Sequence, residues 1–489
     1  MRRPPAAAVP VFADPWQRLV IEHTKGPLLV IGGPGTGKTS ALVEAVAARV
    51  EEGADPESIL VLTFGRRGAV RLRDRIEGRL GRAAGLRTTA EPMVRTFHGY
   101  AFGLLRRAAV ERGETSPRLL TGPEQDLVIR ELLAESTAPW PESLRGALGT
   151  RAFATELRDL LLRAVERGVG PNQLRELARI HRRADWTAAA EFFREYLQVL
   201  ALRDATGRGS VAYDYAELVR AAAGESDLLE REQRRLAYVY VDELADTDPA
   251  QVELLELVAG NGAHLVAFAD PDSSTFAFRG ADPSIVGDFG ERFPGAPRVT
   301  LPHSRRLGAG LLAPVGRVAA RLRGPSRHRA MLATREGGTT ETRTFASETS
   351  EAAYIAHRLR EAHLLRGVPW ARMAVIVRST ARQLAPLQRA LHSAGVPTVT
   401  EAEDLPLHLQ PAIAPLLLLI RCALDGERLD EDAAVALLHS PLGGADPLAE
   451  RRLRQGLRAL ALAAGDRRPS GVLLLAALRD PAELAMVER

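Results

Sequence analysis

Lysine is almost missing from this 489-residue sequence: of its 65 basic residues only Lys25 and Lys38 are lysines, and the rest are arginine. Cysteine is scarcer still, with Cys422 alone. That excludes an internal disulfide and a cysteine-based metal cluster, and it agrees with a reducing compartment. Long apolar runs are absent too. The longest, Ala412 to Ile420, is broken by Pro415 and ended by Arg421, far short of the roughly 20 residues that span a bilayer. Pro4, Pro5 and Pro10 interrupt the start, where a secretory signal needs a continuous apolar stretch. The expectation is a cytoplasmic protein with no membrane partner.

What is present is ordinary globular material, 46% hydrophobic and 26% charged, with a net charge of +4. A chain of this length suggests roughly three or four domains. The arginine bias is read as compositional, so clusters such as Arg66-Arg67 and Arg182-Arg183 are taken as solvated helix faces. Lys38 escapes that discount. In a chain that uses arginine almost everywhere, a lysine closing a glycine loop marks a place where the exchange would not serve.

The loop is Gly32-Gly33-Pro34-Gly35-Thr36-Gly37-Lys38-Thr39. It follows the apolar run Leu28 to Ile31 and precedes a helical pattern from Thr39 to Val50, which is the strand, loop and helix that a phosphate-binding P-loop requires. Glycines let successive N–H groups curl toward one phosphate, and the helix adds its positive end. Lys38 is expected to reach the β- and γ-phosphates of ATP and Thr39 to ligate Mg²⁺. The remaining loop residues, with Ser40, complete the expected nucleotide contacts. The acidic partner is Tyr238-Val239-Tyr240-Val241-Asp242-Glu243, an apolar strand ending in two carboxylates. Asp242 would hold Mg²⁺, and Glu243 would polarise the attacking water.

Apolar runs alternate with helical patterns around these motifs: Ile59 to Phe64 precedes a helix from Ala69 to Leu80, and Met93 to Thr96 precedes one from Phe97 to Val110. The expected fold class is α/β, with a parallel sheet flanked by helices. Thr121 to Asp227 changes to helical periodicity, with breaks at Pro139, Pro141, Gly168 to Pro171 and Gly207-Arg208-Gly209. Strand signals return at Ala237 to Val241, His264 to Phe268 and Arg298 to Leu301. From Thr342 the pattern recurs, with Glu351 to Ala362 a helix, Met373 to Val377 a strand and Ala381 to Ala394 a helix. The stretch after about Asp404 is helical and rich in leucine and alanine.

In this order the motifs resemble the superfamily 1 DNA helicases of the UvrD/Rep/PcrA type. Gln17 matches the motif that reads adenine. Leu62-Thr63-Phe64 with Arg66 to Ala69, and Thr96-Phe97-His98-Gly99-Tyr100, match motifs that contact DNA. Tyr213 to Leu218 resembles the acidic-aromatic segment before motif II, Asp242 to Thr247 is motif II, and Asp270 to Ala281 is motif III with Phe276, Phe278 and Arg279 in place. Arg306 matches the motif IV arginine on the γ-phosphate, with Arg305 beside the adenine. Glu351 to Ala356 and Ala374 to Ser379 resemble the opening of the second motor domain. The resemblance implies RecA-like P-loop domains with helical insertions. The first motor domain would occupy 1–110 and 236–305, its helical insertion 111–235, the second motor domain would start at 306–403, and a second helical insertion would follow at 404–489. It implies 3′ to 5′ movement on single-stranded DNA and unwinding of duplex DNA in repair or recombination. Bases would stack on Phe64, Phe97, His98, Phe276 and Phe278, with Thr63, Thr96 and Arg279 along the strand.

The chain departs from the family at three places. Leu244-Ala245 replaces the Tyr-Gln pair of motif II, Ser273 replaces a motif III glutamine, and Arg305 replaces an aromatic residue on the adenine. The glutamines link nucleotide state to DNA grip, so their absence motivates an alternative: a weakly active or structural motor subunit of a RecB- or AdnAB-like helicase-nuclease, with a partner subunit doing the pulling. A P-loop enzyme acting on small molecules is a third reading, which leaves the aromatic motifs unexplained. Nothing after Ala433 resembles motifs V or VI. The expectation is a fragment of a longer polypeptide, with a naturally shortened motor as the alternative, impaired in turnover and better at binding ATP than at hydrolysing it.

Overall fold

The near-continuous apolar runs suit strands covered on both faces, because a parallel sheet buried under helices leaves no side for polar residues. The computed structural model, which describes residues 14–84, 92–206, 211–260, 264–324, 326–399 and 413–480, uses them in that way. Six strands, β1 (Pro27–Gly32), β2 (Ile59–Thr63), β3 (Met93–Thr96), β4 (Tyr238–Val241), β5 (His264–Ala269) and β6 (Arg298–Leu301), form one parallel sheet. Their order is β3-β2-β4-β5-β1-β6. Alternate residues feed two cores. Leu29, Ile31, Leu60 and Val239 face one side with Phe97 and Leu104 of the Phe97–Arg112 helix. Leu28, Val30, Val61 and Phe268 face the other, against Leu42 and Val46 of the Lys38–Glu51 helix and Leu72 of the Arg66–Ala84 helix. In such a sheet ligands gather at the carboxyl ends of the strands, where β1 leads into the glycine loop and β4 into Asp242.

Between β3 and β4 the chain leaves the sheet for helices that include Gly122–Glu135, Arg151–Glu166, Pro171–Ile180 and Ala184–Thr206. They enclose a core of their own around Ile129, Leu157, Leu161 and Phe192. A buried polar cluster ties the helix that leaves β3 to the Ser226–Arg235 helix that returns to β4. Glu232, 2% exposed, accepts hydrogen bonds from Tyr100 Oη at 2.7 Å, Arg107 at 2.9 Å and Arg235 at 2.8 Å. Burial pushes its carboxyl up, but the bonds from Arg235, Arg107 and Tyr100 outweigh burial and hold it down at about 2. A depressed carboxylate stabilises the fold above its unfolded range near 4.3 and loses that contribution as pH falls toward 2. Glu232→Ala is expected to cost about 2–3 kcal/mol, because the Tyr100 hydroxyl is left buried without its partner. Urea unfolding at pH 7 measures it, and the difference from the parent protein should shrink by pH 3.

The chain divides into compact units between Glu341 and Thr342. In the second unit the Glu348–Arg366 and Thr380–Ser393 helices share a small core with Ala352, Ala356, Leu387 and Leu391. Another cluster gathers Ala434, Leu457 and Leu474. The strand expected at Met373 to Val377 is not formed. Those residues carry no ladder hydrogen bonds, Ile376 is 94% exposed, and among the described residues of this unit no strand lies beside them. An apolar run becomes a strand only when a neighbour takes its backbone groups. The break at Gly207-Arg208-Gly209, the prolines at the start and residues 400–412 lie outside the described residues; beyond them the helical expectation is met by Ala414–Leu424, Glu431–Leu438, Pro447–Ala463 and Ser470–Arg479. Among the described residues no helix is long and apolar enough to cross a membrane.

Candidate nucleotide and nucleic-acid site

The glycine loop joins β1 to the Lys38–Glu51 helix, and its backbone is what only glycine tolerates at two points. Gly35 has φ +77° and Gly37 φ +91°. A Cβ on Gly35 would sit 2.5 Å from Arg306 Cβ, and one on Gly37 would collide with Gln17 Nε2. The loop is therefore a cradle closed from outside by Gln17, Arg305 and Arg306. Gln17, 1% exposed, donates to the Gly37 carbonyl at 3.4 Å. Arg305 donates to the Thr36 carbonyl at 3.4 Å and to Asp14 at 2.8 Å, and its own N–H donates to the Gly35 carbonyl at 2.9 Å. Asp14 caps the first helix by accepting from the Gln17 N–H at 2.8 Å. The Asp14 carboxylate thus ties the Arg305 side chain to the backbone of the helix turn that carries Gln17.

Lys38 Nζ donates to the carbonyls of Gly32 at 2.5 Å and Gly33 at 3.1 Å and lies 3.8 Å from Asp270. Burial pulls its pKa below the usual lysine range, opposed by Asp270 and Asp242. Asp242 is 7% exposed, and burial pushes its carboxyl up, opposed by the Thr39 hydroxyl, which donates to it at 3.3 Å, and by Lys38. A buried amine and a buried carboxylate, each disfavoured in its charged form, suit a phosphate and a cation between them. The Thr39 and Asp242 oxygens are the hard donors that Mg²⁺ prefers. A second acidic group, Asp270, Asp272 and His328, brings its ligand atoms within 4.8 Å of one another. It is an ion-pair clasp instead: Asp272 already accepts two bonds from Arg329, both at 2.7 Å, and one from His328 at 2.8 Å.

Glu243 takes a left-handed backbone, φ +59° and ψ +43°, a conformation that costs energy in a residue other than glycine and clusters at working sites. Loss of water around its carboxyl, with Asp242 and Asp246 adding, pushes it up to about 7. Arg75 was hidden by the discount placed on arginine. It reaches Ser40 Oγ at 3.0 Å from the Arg66–Ala84 helix, near enough to Asp242 and Arg306 for their charges to act on it. Asp14 has no motif to mark it, and Asp246 and Asp270, though inside motifs II and III, carry no role in the sequence reading, since each gains its partner only through the fold.

On the same edge of the sheet the motif aromatics gather unevenly. The Phe64 and Phe276 rings lie 4.3 Å apart, Phe276 and Phe278 6.0 Å apart. The Arg279 guanidinium sits 5.5 Å from the Phe278 ring, and Phe278 is 68% exposed. His98 lies edge-on to Tyr215 at 5.4 Å, and burial, with Arg66 and Arg279 nearby, pulls its ring down to about 4, so it is neutral at pH 7. Two expected DNA contacts are elsewhere. Phe97 opens a helix and is 1% exposed, packed in the core with Leu104, and Thr63 is also 1% exposed. In this arrangement no base reaches either. Helical register turns Phe97 fully inward, one residue from His98, which is half-buried against Tyr215. Thr96 caps that helix, accepting from the Gly99 N–H at 3.0 Å.

Hydrogen bonds join the two halves of the site. Asp246, at the end of the motif that begins with Asp242, accepts from the Thr275 N–H at 3.2 Å, and Thr247 O accepts from the Asp282 N–H at 2.9 Å. Ser273 donates to Asp270, the neighbour of Lys38, at 2.7 Å. The backbone that carries Phe276 and Phe278 is thereby tied to the groups around the phosphate loop.

Known proteins resemble this sequence over much of its length. The UvrD/REP helicase N-terminal domain profile matches residues 13–294. The ATP-dependent DNA helicase UvrD2 of Mycobacterium tuberculosis is 29% identical over 505 aligned positions, covering 98% of this chain and 69% of that protein. The ATP-dependent DNA helicase PcrA of Staphylococcus epidermidis is 25% identical over 376 positions, 75% of this chain and 48% of its own length. PcrA of Bacillus subtilis is 27% identical over 303 positions, 60% of this chain and 37% of its own. The chain thus spans about half or less of the length of the PcrA relatives. With the profile covering more than half of the sequence, the chain belongs to the UvrD/REP helicase N-terminal domain family.

Proposed function

We propose that this chain is the ATP-binding part of a DNA helicase that couples ATP hydrolysis to 3′ to 5′ movement on single-stranded DNA and unwinding of duplex in repair or recombination. The observation that carries the reading is the bonding of Asp246 to Thr275 and of Ser273 to Asp270, which connects the phosphate loop to the aromatic platform. A small-molecule P-loop enzyme would have no use for that connection. Bound nucleotide, with Mg²⁺, supplies the free energy of phosphoanhydride cleavage. The chain's own residues do the rest. Lys38 and Arg306 bear on the terminal phosphates, Thr39 and Asp242 hold the cation, Gln17 and Arg305 receive the base, and Glu243 takes the proton of the attacking water. Phe64, Phe276 and Phe278 carry stacked bases, with His98 and Arg279 beside them. Thr63 and Phe97 act from beneath as supports. The sheet residues within 1–110 and 236–305 serve as the first motor domain, with 111–235 its helical insertion and 306–403 and 404–489 the start of the second motor domain and its insertion.

Leu244 and Ala245 are packed in the core at 0% and 3% exposure, so no polar side chain from that pair reaches the DNA side. This favours a second reading, a weakly active motor subunit of a helicase-nuclease pair. The test is binding of a fluorescent oligo-dT at low salt, where stacking dominates specificity and phosphate contacts dominate affinity. Phe278→Ala is expected to weaken binding about tenfold, within the ~1–3 kcal/mol of one stacked base. Unchanged affinity in that variant counts against the platform in both readings.

A further inference from the structure

We propose that Arg163 and Glu166, on the Arg151–Glu166 helix outside the sheet, are positioning residues that set the aromatic loop for single-stranded DNA. The inference rests on the DNA-binding reading above and extends it to residues that contact neither nucleotide nor base. Arg163 donates to the Phe278 carbonyl at 2.7 Å and to Glu166 Oε1 at 2.5 Å. Gly280, two residues on, has φ +86°, and a Cβ there would strike Glu166 Oε2. The loop bearing Phe276 and Phe278 therefore lies directly on this ion pair.

The pair is costly. Glu166 is 6% exposed, and its Oε2 and the Arg163 Nε are buried without a hydrogen-bond partner. Burial pushes the Glu166 carboxyl up to about 8, opposed by Arg163 and reinforced by Asp248. A carboxyl raised that far is largely protonated at neutral pH, so the pair is held by its hydrogen bond more than by charge and adds little stability; what it supplies here is a fixed geometry. The helix end is itself anchored: Arg220 Nε, on the Tyr215–Ala223 helix that packs on the sheet, donates to the Val165 carbonyl at 2.6 Å. The loop is thus held on its nucleotide side by Asp246 through Thr275, and on its far side by Arg163 through Phe278. Movement of the nucleotide side would turn the rings about the far anchor.

The test titrates the 489-residue protein and its variants with a fluorescent oligo-dT of about 16 nucleotides, and in parallel with a fluorescent ADP analogue. Arg163→Gln should weaken the oligonucleotide about tenfold and leave the ADP analogue within twofold. Arg163→Lys should recover part of the loss, and Gly280→Ala, pressing on the clamp from the loop side, should reproduce it. Equal losses of both ligands would mean general destabilisation and overturn the proposal. So would an Arg163→Gln protein that binds the oligonucleotide within twofold of the parent while Phe278→Ala weakens it, an outcome that leaves the DNA reading standing. If Phe278→Ala is also without effect, the DNA reading falls and the clamp with it.

Discussion

Lys38→Ala is expected to lower affinity for an ATP analogue by about 100-fold, equivalent to about 2.7 kcal/mol, and to abolish hydrolysis. The size follows from losing an ammonium whose hydrogen bonds to phosphate are charge-assisted and worth about 1.5–3 kcal/mol each. Its present partners, the carbonyls of Gly32 and Gly33 and the Asp270 carboxylate, already mark the place where a cation is held in the loop. Lys38→Arg should fare little better, although the chain uses arginine at nearly every other basic position. A planar fork cannot replace a compact charge buried between two carbonyls. Titration with a fluorescent ATP analogue, together with phosphate release in the presence of oligo-dT, measures both effects.

Glu243→Gln should separate binding from chemistry. Nucleotide affinity is expected to stay within a few-fold, while hydrolysis falls by about 10²–10⁴, the usual contribution of a positioned general base. The residue is prepared for that work by its surroundings. Loss of water, then Asp242 and Asp246, push its carboxyl up to about 7. A base works only when ionised, so hydrolysis by the parent protein should rise with pH through about 7 and level off above it, and the residual rate of the variant should lack that rise. A pH-rate profile of both proteins reads this directly. A Glu243→Gln protein with the parent rate and profile would move the base elsewhere.

What could be read from the sequence follows the range of the interactions. The glycine loop is legible because its chemistry is local: its positive-φ glycines, lysine and helix start lie within eight residues. The α/β class is legible because two-sided burial writes itself as apolar runs, and the parallel six-stranded sheet agrees with it. Phe97 and His98 show where reading stops. Both follow the same strand, but helical register sends one into the core and leaves the other beside Tyr215. Arg75 was invisible for the opposite reason: among so many arginines, only the fold singles out the one that reaches Ser40. The Asp14 bond to Arg305 joins residues 291 positions apart, and the Arg163 bond to Phe278 joins residues 115 apart. Neither has a local pattern. Met373 to Val377 has the pattern of a strand without the neighbour that would make it one.

Serine and alanine at the positions of the family's coupling glutamines bear on how the two halves communicate. Asp246 to Thr275 and Ser273 to Asp270 supply a connection of a different composition. Such a path has consequences for binding, because coupling between two ligands is reciprocal. The decisive measurement is the affinity of the 489-residue protein for oligo-dT with and without a non-hydrolysable ATP analogue and Mg²⁺. A change of at least fivefold, about 1 kcal/mol of coupling, that is lost in Asp246→Ala, which removes the acceptor of the Thr275 N–H, is the predicted result. An affinity that is the same with and without nucleotide would contradict the account.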